Sequence, residues 1–99
     1  MMEIKNRDGV TIHTVEGDTL YEANLDGADL RGADLRWEDL TWANLSGANL
    51  DGADLRWADL RWADLTWADL RRANLDGANL RGVRANWQSH DLIAAILLR

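Results

Sequence analysis

The sequence predicts an all-β solenoid in which the chain winds around a core of Leu and Ala side chains. Leu recurs at every fifth position from Leu20 to Leu80, and from residue 24 onward Asp or Asn directly precedes each Leu. Ala stands two residues before each Leu from residue 23 onward, with the single exception of Glu38. The unit is therefore Ala-(Asp/Asn)-Leu-X-X, repeated twelve times without interruption over residues 23–82. Such repetition is typical of architectures in which each unit packs on its neighbours.

The period of five residues excludes a regular helix and a regular strand. On an α-helix, steps of five residues rotate the side chain by about 500°, so the Leu side chains would scatter around the axis. On an uninterrupted strand, odd steps would place successive Leu on opposite faces. A short extended stretch followed by a corner satisfies the period, because Ala and Leu then point to the same side in every unit. We therefore expect Ala and Leu inside, and Asp/Asn with both X residues outside.

The unit resembles the consensus of the pentapeptide-repeat family, and the resemblance covers about residues 20–84. It implies a right-handed quadrilateral parallel β-helix with about four units, or twenty residues, in each coil. Over residues 20–86 this amounts to a little over three coils, stacked at roughly 4.8 Å by strand pairing. Residues twenty positions apart are then expected to lie above one another, so every outward side chain belongs to a column.

The two ends of the chain are predicted to cap the solenoid. Residues 1–19 carry no repeat, and Asp8-Gly9 is a tight-turn dipeptide, which predicts a β-hairpin that pairs the Ile4 region with Val10–Ile12. Residues 87–99 are predicted to form a short α-helix after a Ser89 N-cap. That helix is apolar nearly all round, so it is a candidate capping or homodimer element through four side chains: Leu92, Ile93, Ile96 and Leu97.

The last residue of each unit is expected at a corner of the coil. Gly occupies six of these twelve positions, Arg72 occupies one, and Trp occupies five: Trp37, Trp42, Trp57, Trp62 and Trp67. Gly permits the positive φ of a type II turn, whereas Trp disfavours it, so we expect a different turn at the Trp corners. Stacking places Trp37 under Trp57 and Trp42 under Trp62, and Trp67 under Trp87 if the coil continues. These indoles either only stabilise the corners or form a contact surface for a partner, with a sugar site as a lesser alternative.

Charged residues are expected to pair on the outside of the coil. Asp34–Arg36, Asp54–Arg56 and Asp59–Arg61 flank an inward Leu, so both members of each pair face outward on one segment. Glu38 occupies an inward Ala position, and Asp18 stands twenty residues earlier. We expect these two carboxylates at one atypical, open corner, where Glu38 either turns to solvent or lines an ion niche with a cation from the hairpin nearby.

Composition excludes several classes of function. The net charge is −6 and the pI about 4.7, so direct binding to nucleic acid is not expected. The chain has no Cys, only two His and no apolar run of 18 residues, and its N-terminus is polar. These features predict a protein with no cofactor, no metal site and no membrane contact, placed in the cytoplasm. The acidic residues occupy a repeated structural position rather than a tuned pair in a pocket, so we expect no enzymatic activity.

Two functions remain open at this point. The first is a structural or protein-interaction module that binds a partner protein or a second copy of itself through the Trp corners or the C-terminal helix. The second follows from the resemblance, because some pentapeptide-repeat proteins mimic DNA and inhibit or protect a type II topoisomerase such as gyrase. Residues 23–82 carry eleven acidic and seven basic side chains, so the expected surface is mixed rather than uniformly negative.

Overall fold

The repeats form a four-sided parallel β-helix. The computed structural model describes residues 1–86, and the helix predicted over residues 87–99 lies outside the described residues. Single-residue parallel bridges join positions twenty apart on all four sides: Asn24↔Asn44, Asp29↔Asn49, Asp34↔Asp54, Asp39↔Asp59, Asn44↔Asp64, Asn49↔Asp69, Asp54↔Asn74, Asp59↔Asn79 and Asp64↔Arg84. Each extended stretch is bridged at only one residue, because a corner follows almost immediately.

Two backbone hydrogen bonds hold each bridge. The N–H of Leu25 donates to the carbonyl of Asn44 at 2.8 Å, and the N–H of Asn44 donates to the carbonyl of Ala23 at 2.9 Å. The same pair of bonds recurs along the rod, for example from Leu45 to the carbonyl of Asp64 at 2.8 Å. The expected register of twenty residues is therefore confirmed.

The core contains the predicted Leu and Ala columns. Every repeat Leu from Leu20 to Leu75 is at most 3% exposed, and the Ala residues of the central coils are almost equally buried. A coil this narrow brings opposite sides close together, so the Leu column and the Ala column of each of the four sides together fill it to the density of a protein interior. The prediction that each Leu points to a common axis is confirmed.

The N-terminal hairpin consists of strand β1 (Met2–Lys5) and strand β2 (Thr11–Val15), which pair antiparallel. Its tight turn has φ +82° at Gly9, and the Asn6 side chain accepts the N–H groups of Asp8 and Val10, each at 3.0 Å. The expected pairing of the Ile4 region with Val10–Ile12 forms through Lys5, which lies opposite Thr11, whereas Ile4 itself lies opposite His13.

A bulge between Ile4 and Lys5 causes this shift in register. As a result Val10 is 56% exposed, whereas Ile4 and Val15 pack against the Leu core.

The hairpin covers one side of the first coil. Asn6 forms an antiparallel bridge with Ala33, and the N–H of Asp34 donates to the carbonyl of Lys5 at 2.8 Å. On this side the hairpin therefore occupies the place that a preceding coil would otherwise take, and it satisfies a backbone group that would lie at an open edge.

Candidate interaction surface of the tryptophan ladders

All corners of the solenoid adopt the same turn, whatever residue they carry. The corner Gly residues have φ between +67° and +73°, and Glu22, Arg72 and the five described Trp have φ between +56° and +64°. At Trp42 the N–H of Ala43 donates to Leu40 at 3.0 Å, and at Gly47 the N–H of Ala48 donates to Leu45 at the same distance. A positive φ at the third residue of such a turn is the type II pattern. The expectation of a different turn at the Trp corners is therefore wrong.

The physical reason lies in the hydrogen bonds on either side of each corner. The corner N–H donates to the next coil, for instance from Trp42 to the carbonyl of Arg61 at 3.0 Å. That bond and the turn bond both require the left-handed conformation, which costs a non-Gly residue about 1–2 kcal/mol. Stacking between indoles contributes about 0.5–1.5 kcal/mol in the other direction, which offsets part of this cost in the two columns where Trp lies above Trp.

The Trp side chains form two stacked ladders on adjacent corners. In ladder A, the ring centroids of Trp37 and Trp57 are 5.5 Å apart with planes 13° from parallel. In ladder B, the centroids of Trp42 and Trp62 are 5.6 Å apart with planes 16° from parallel. The predicted stacking is thus confirmed for both pairs. All four indoles remain between 45% and 73% exposed, so stacking leaves much of their surface in water.

Both ladders lean toward the next coil and end on a glycine. A Cβ placed on Gly77 would lie 2.3 Å from Cε3 of Trp57, and one placed on Gly82 would lie 2.2 Å from Cε3 of Trp62. Any side chain at these two positions would displace the indole, because real Cβ atoms do not approach other atoms so closely. Each ladder therefore has two rungs, and its last ring covers a glycine backbone.

Trp67 lies on the next corner, beside ladder B. Its side chain is 76% exposed, and its N–H donates to the Asn86 side chain at 3.0 Å. The residues below it in the column are Gly27 and Gly47, so no stacking partner precedes it. Trp87, its expected partner above, lies outside the described residues. The fourth corner carries Gly32, Gly52 and Arg72, so the described indoles occupy three adjacent corners.

The side of the rod between the ladders, here called the inter-ladder face, comprises residues 38–41, 58–61 and 78–81. At its centre the Arg61 guanidinium donates to both oxygens of Asp59 at 2.7 to 3.1 Å. The hydrogen bond from Arg61 lowers the pKa of the Asp59 carboxyl, which keeps this pair ionised. At one end, among residues 1–86, Asp39 accepts hydrogen bonds only from the N–H and hydroxyl of Thr41. The face is thus a polar strip between two aromatic borders.

The Asp/Asn position of the repeat has a structural role that the sequence reasoning missed. In every unit its Oδ1 accepts the N–H of the residue two positions on, as from Asp26 to Asn24 at 3.2 Å and from Ser46 to Asn44 at 3.0 Å. Both Asp and Asn offer this oxygen, which explains why the position alternates between them. The repeated spacing of Asp/Asn two residues before a turn would have revealed this role.

Asp54 is the most strongly stabilised carboxylate among the described residues. Its buried side chain accepts from Arg56 at 2.7 Å and from Arg7 of the hairpin at 3.0 Å, while Arg36 lies 3.8 Å away. The hydrogen bond from Arg56 is the main cause that lowers the pKa of Asp54 to about 2. The predicted Asp34–Arg36 and Asp54–Arg56 pairs both form, at 2.8 and 2.7 Å. The positive charge of Arg7 also lowers the pKa of Asp54, beside the stacked carboxylate of Asp34.

The expected acidic corner of Asp18 and Glu38 is not a shared inner site. The Asp18 side chain is 97% exposed and lies 3.6 Å from the N-terminal amine, because the regular coil starts only at Leu20. Glu38 is half-buried; burial raises its pKa, and the nearby carboxylates of Asp34 and Asp39 raise it further. The hairpin cation Arg7 contacts Asp54 instead of either residue.

Over residues 1–86, no group of three or more His, Asp or Glu side chains is arranged to hold a metal ion. Within the same residues, no helix is long and apolar enough to cross a membrane. What the surface does present is aromatic, in two ladders and a third Trp corner.

These features define a protein of the four-sided β-helix class with an aromatic surface on three of its corners. The chain matches the Pentapeptide repeats family in eight copies, over residues 19–36, 39–75 and 58–96. The protein therefore belongs to the pentapeptide-repeat family, as its sequence pattern predicts.

Several solved structures are similar to this chain. Rfr23, a pentapeptide repeat protein from the cyanobacterium Cyanothece 51142, is 35% identical with a TM-score of 0.52 over 69% of this chain and 44% of its own. HetL from Nostoc sp. strain PCC 7120, a protein involved in heterocyst differentiation regulation, is 42% identical over 64% of this chain and 35% of its own, with a TM-score of 0.38. A protein of the Arabidopsis thaliana thylakoid lumen is 31% identical over 66% of this chain and 55% of its own, with a TM-score of 0.34.

The chain thus spans less than half the length of Rfr23 and of HetL. No curated protein matches the chain.

Proposed function

We propose that this protein is a non-enzymatic interaction module that binds a protein partner through its Trp corners. The observation that carries the proposal is the exposure of the five described indoles, between 45% and 76%, on three adjacent corners of one short rod. A corner requires only a positive φ, which Gly supplies without strain, so structure alone does not require Trp there. Contiguous exposed aromatic side chains are typical of contact surfaces.

The arrangement of charges favours this role over mimicry of DNA. Arg31, Arg36, Arg56, Arg61 and Arg71 each pair with the Asp two residues earlier, and Arg72 pairs with Asp51 in the preceding coil at 2.5 Å. Each of these pairs places a positive charge beside a column of acidic side chains, so the column is not continuously negative. A mimic of DNA needs a continuous negative stripe, so the alternative of a topoisomerase inhibitor or protector receives no support from this surface.

Two further expectations belong to the proposal. A cytoplasmic location is proposed from the absence of Cys. A homodimer through the apolar segment that contains Leu92, Ile93, Ile96 and Leu97 remains a prediction, since it falls outside the described residues.

The test distinguishes indoles that form a contact surface from indoles that only stabilise the corners. The full chain, and a variant with all five corner Trp changed to Gly, would be isolated from the cells that produce them and sized by light scattering. We expect the natural chain in an assembly heavier than its own 11.2 kDa and the variant at 11.2 kDa. Arg72→Gly at the fourth corner is the matched control and is expected to keep the assembly. An unchanged mass for the Trp variant, with its circular dichroism intact, would reject the proposal.

A further inference from the structure

The two ends of the inter-ladder face carry charges of opposite sign that form no ion pair within residues 1–86. At the N-terminal end, Asp39 accepts bonds only from Thr41, and Glu38 beside it forms no hydrogen bond or ion pair within residues 1–86. At the C-terminal end, the N–H of Arg81 donates to Asn79, while its guanidinium has no partner among the described residues. The other six Arg of residues 23–82 are paired, so Arg81 is an exception.

The charged residues in the middle of the face pair with each other. Asp59 and Arg61 lie in the coil between the two ends and form a bidentate pair, so neither requires a partner outside the chain. The ladders are centred near the same coil, because their rings lean toward the next coil, as the contacts of Trp57 with Gly77 and Trp62 with Gly82 demonstrate. Aromatic contacts, a neutral centre and two opposite charged ends are therefore arranged about one level of the rod.

This arrangement is complementary to itself. A two-fold axis across the rod at the level of Asp59 and Arg61 reverses the direction of the second copy. The acidic end of each copy then faces the basic end of the other, and each ladder meets the same ladder of its partner. A two-fold axis along the rod would instead place Asp39 near the partner's Asp39 and Arg81 near the partner's Arg81, which like-charge repulsion disfavours.

We propose that the inter-ladder face binds a second copy of this chain in antiparallel orientation, forming a two-fold symmetric dimer in which Arg81 of each copy pairs with the acidic end of the other. The proposal rests on the proposed function, since it names the partner of the two ladders. The molecule measures 34 × 25 × 22 Å, and the inter-ladder face spans three coils stacked at roughly 4.8 Å. The contact area is therefore smaller than the roughly 800 Å² that each partner buries in an interface of standard size, which suits a weak, concentration-dependent dimer.

Sedimentation equilibrium of the purified full chain over a wide concentration range tests the dimer. We expect a mass of twice 11.2 kDa for the natural chain and 11.2 kDa for the Trp57→Gly/Trp62→Gly variant, whose corners keep a residue suited to positive φ. Trp67→Gly is the matched control, because Trp67 lies outside the inter-ladder face, and it is expected to leave the mass doubled. A natural chain that stays at 11.2 kDa, or a dimer that survives loss of both Trp, overturns the proposal.

The sign of two neutralising substitutions tests the orientation. Asp39→Asn keeps the turn hydrogen bond that Asn makes elsewhere in the repeat, and Arg81→Gln removes only the free charge. Each pair occurs twice by symmetry, so either substitution should weaken the antiparallel dimer by about three- to tenfold. In a parallel dimer the same changes would relieve repulsion and strengthen association, so strengthening or no effect overturns the antiparallel arrangement.

Two substitutions on the neighbouring side serve as controls for charge. Asp64 accepts from Thr66 as Asp39 does from Thr41, and Arg84 has no ion pair among the described residues. Asp64→Asn and Arg84→Gln should therefore change the dissociation constant by less than about twofold. The two proposals can fail separately. If the purified chain is a monomer, but the chain isolated from cells is in an assembly that the five-Trp variant lacks, the dimer is wrong and the interaction module stands. If neither association is seen, both proposals fail.

Discussion

The indole of Trp57 lies against the backbone of Gly77 in the next coil, so closely that a Cβ on Gly77 would come within 2.3 Å of Cε3 and 2.6 Å of Cδ2. The glycine thus has two roles. It adopts φ +73° at its corner, and it leaves space for the last ring of ladder A. Gly52 has almost the same φ, +72°, but has nothing within 4 Å of where its Cβ would lie.

Gly77→Ala should destabilise the protein more than Gly52→Ala does. Both substitutions place a side chain in the left-handed region, which costs about 1–2 kcal/mol. Only Gly77→Ala also displaces Trp57 from its contact and disturbs its stacking on Trp37, which adds about 0.5–1.5 kcal/mol. Urea unfolding of both variants measures the difference directly. Equal losses of stability would mean that the ring of Trp57 does not rest on Gly77 in solution.

The corner at Glu22 is strained without an aromatic contact to offset it. Its φ is +56°, and its side chain makes no hydrogen bond or ion pair within residues 1–86. Glu22→Gly should therefore raise the free energy of unfolding by about 1 kcal/mol, since Gly adopts this conformation freely. Glu22→Asn should give a smaller gain, because Asn tolerates the left-handed region better than most residues.

Glu22→Gln is the control for charge, because it keeps the shape and the strain of the glutamate. Thermal or urea unfolding should find it close to the natural chain. A gain in Glu22→Gln equal to that in Glu22→Gly would show that charge, rather than backbone conformation, sets the stability at this corner.

The sequence allowed the core and the columns to be predicted because both depend on regular spacing alone. A period of five forces Leu25 and Leu45 into equivalent inward positions, and a coil of twenty residues forces Trp37 beneath Trp57. The turn at the Trp corners was predicted wrongly because the expectation used the intrinsic preference of Trp for negative φ. Preferences of about 1–2 kcal/mol yield to tertiary hydrogen bonds that repeat at every corner.

Two features depended on information that spacing does not contain. The contact of Arg7 with Asp54 joins residues 47 positions apart through the docking of the hairpin, whose register shifts at a bulge. No pattern in residues 1–19 specifies where that bulge lies. The lean of the indoles toward the following coil is likewise a choice of side-chain rotamer, so the special position of Gly77 and Gly82 among the corner glycines emerges only from the structure.

The parallel stacking of the indoles predicts an optical signal. Two indoles at 5.5 Å, with planes 13° apart, are close enough for their electronic transitions to couple, so the circular dichroism spectrum should contain a split indole band. Trp37→Phe and Trp42→Phe each break one ladder and should each reduce the band by about half. Trp67→Phe is the control, since no described ring stacks on Trp67, and it should leave the band unchanged. An equal reduction from all three substitutions would contradict the two ladders.

Asp54 should make the protein sensitive to acid. Its folded pKa is about 2, below the usual value of 3.8, chiefly because Arg56 donates hydrogen bonds to it. A carboxylate with a lowered folded pKa stabilises the folded state at pH values above its unfolded pKa, and this contribution is lost as the pH falls toward the folded value. For the fully buried Asp54 side chain the contribution is roughly 2 kcal/mol, so stability should fall steeply between about pH 4 and pH 2.

Asp54→Asn should flatten this part of the pH profile while keeping the turn hydrogen bond to the N–H of Arg56, because Asn supplies the same acceptor elsewhere in the repeat. Urea unfolding from pH 7 to pH 2 measures the free energy of unfolding and how steeply it changes with pH. Asp29→Asn is the control: Asp29 also pairs with the Arg two residues on, but its side chain is 60% exposed, so solvent screens the pair and the slope should change little. If both variants keep the acid slope of the natural chain, Asp54 does not act as the buried charge between Arg7 and Arg56, and the hairpin is held by its backbone contacts at Lys5 and Asn6 and by the packing of Ile4 and Val15.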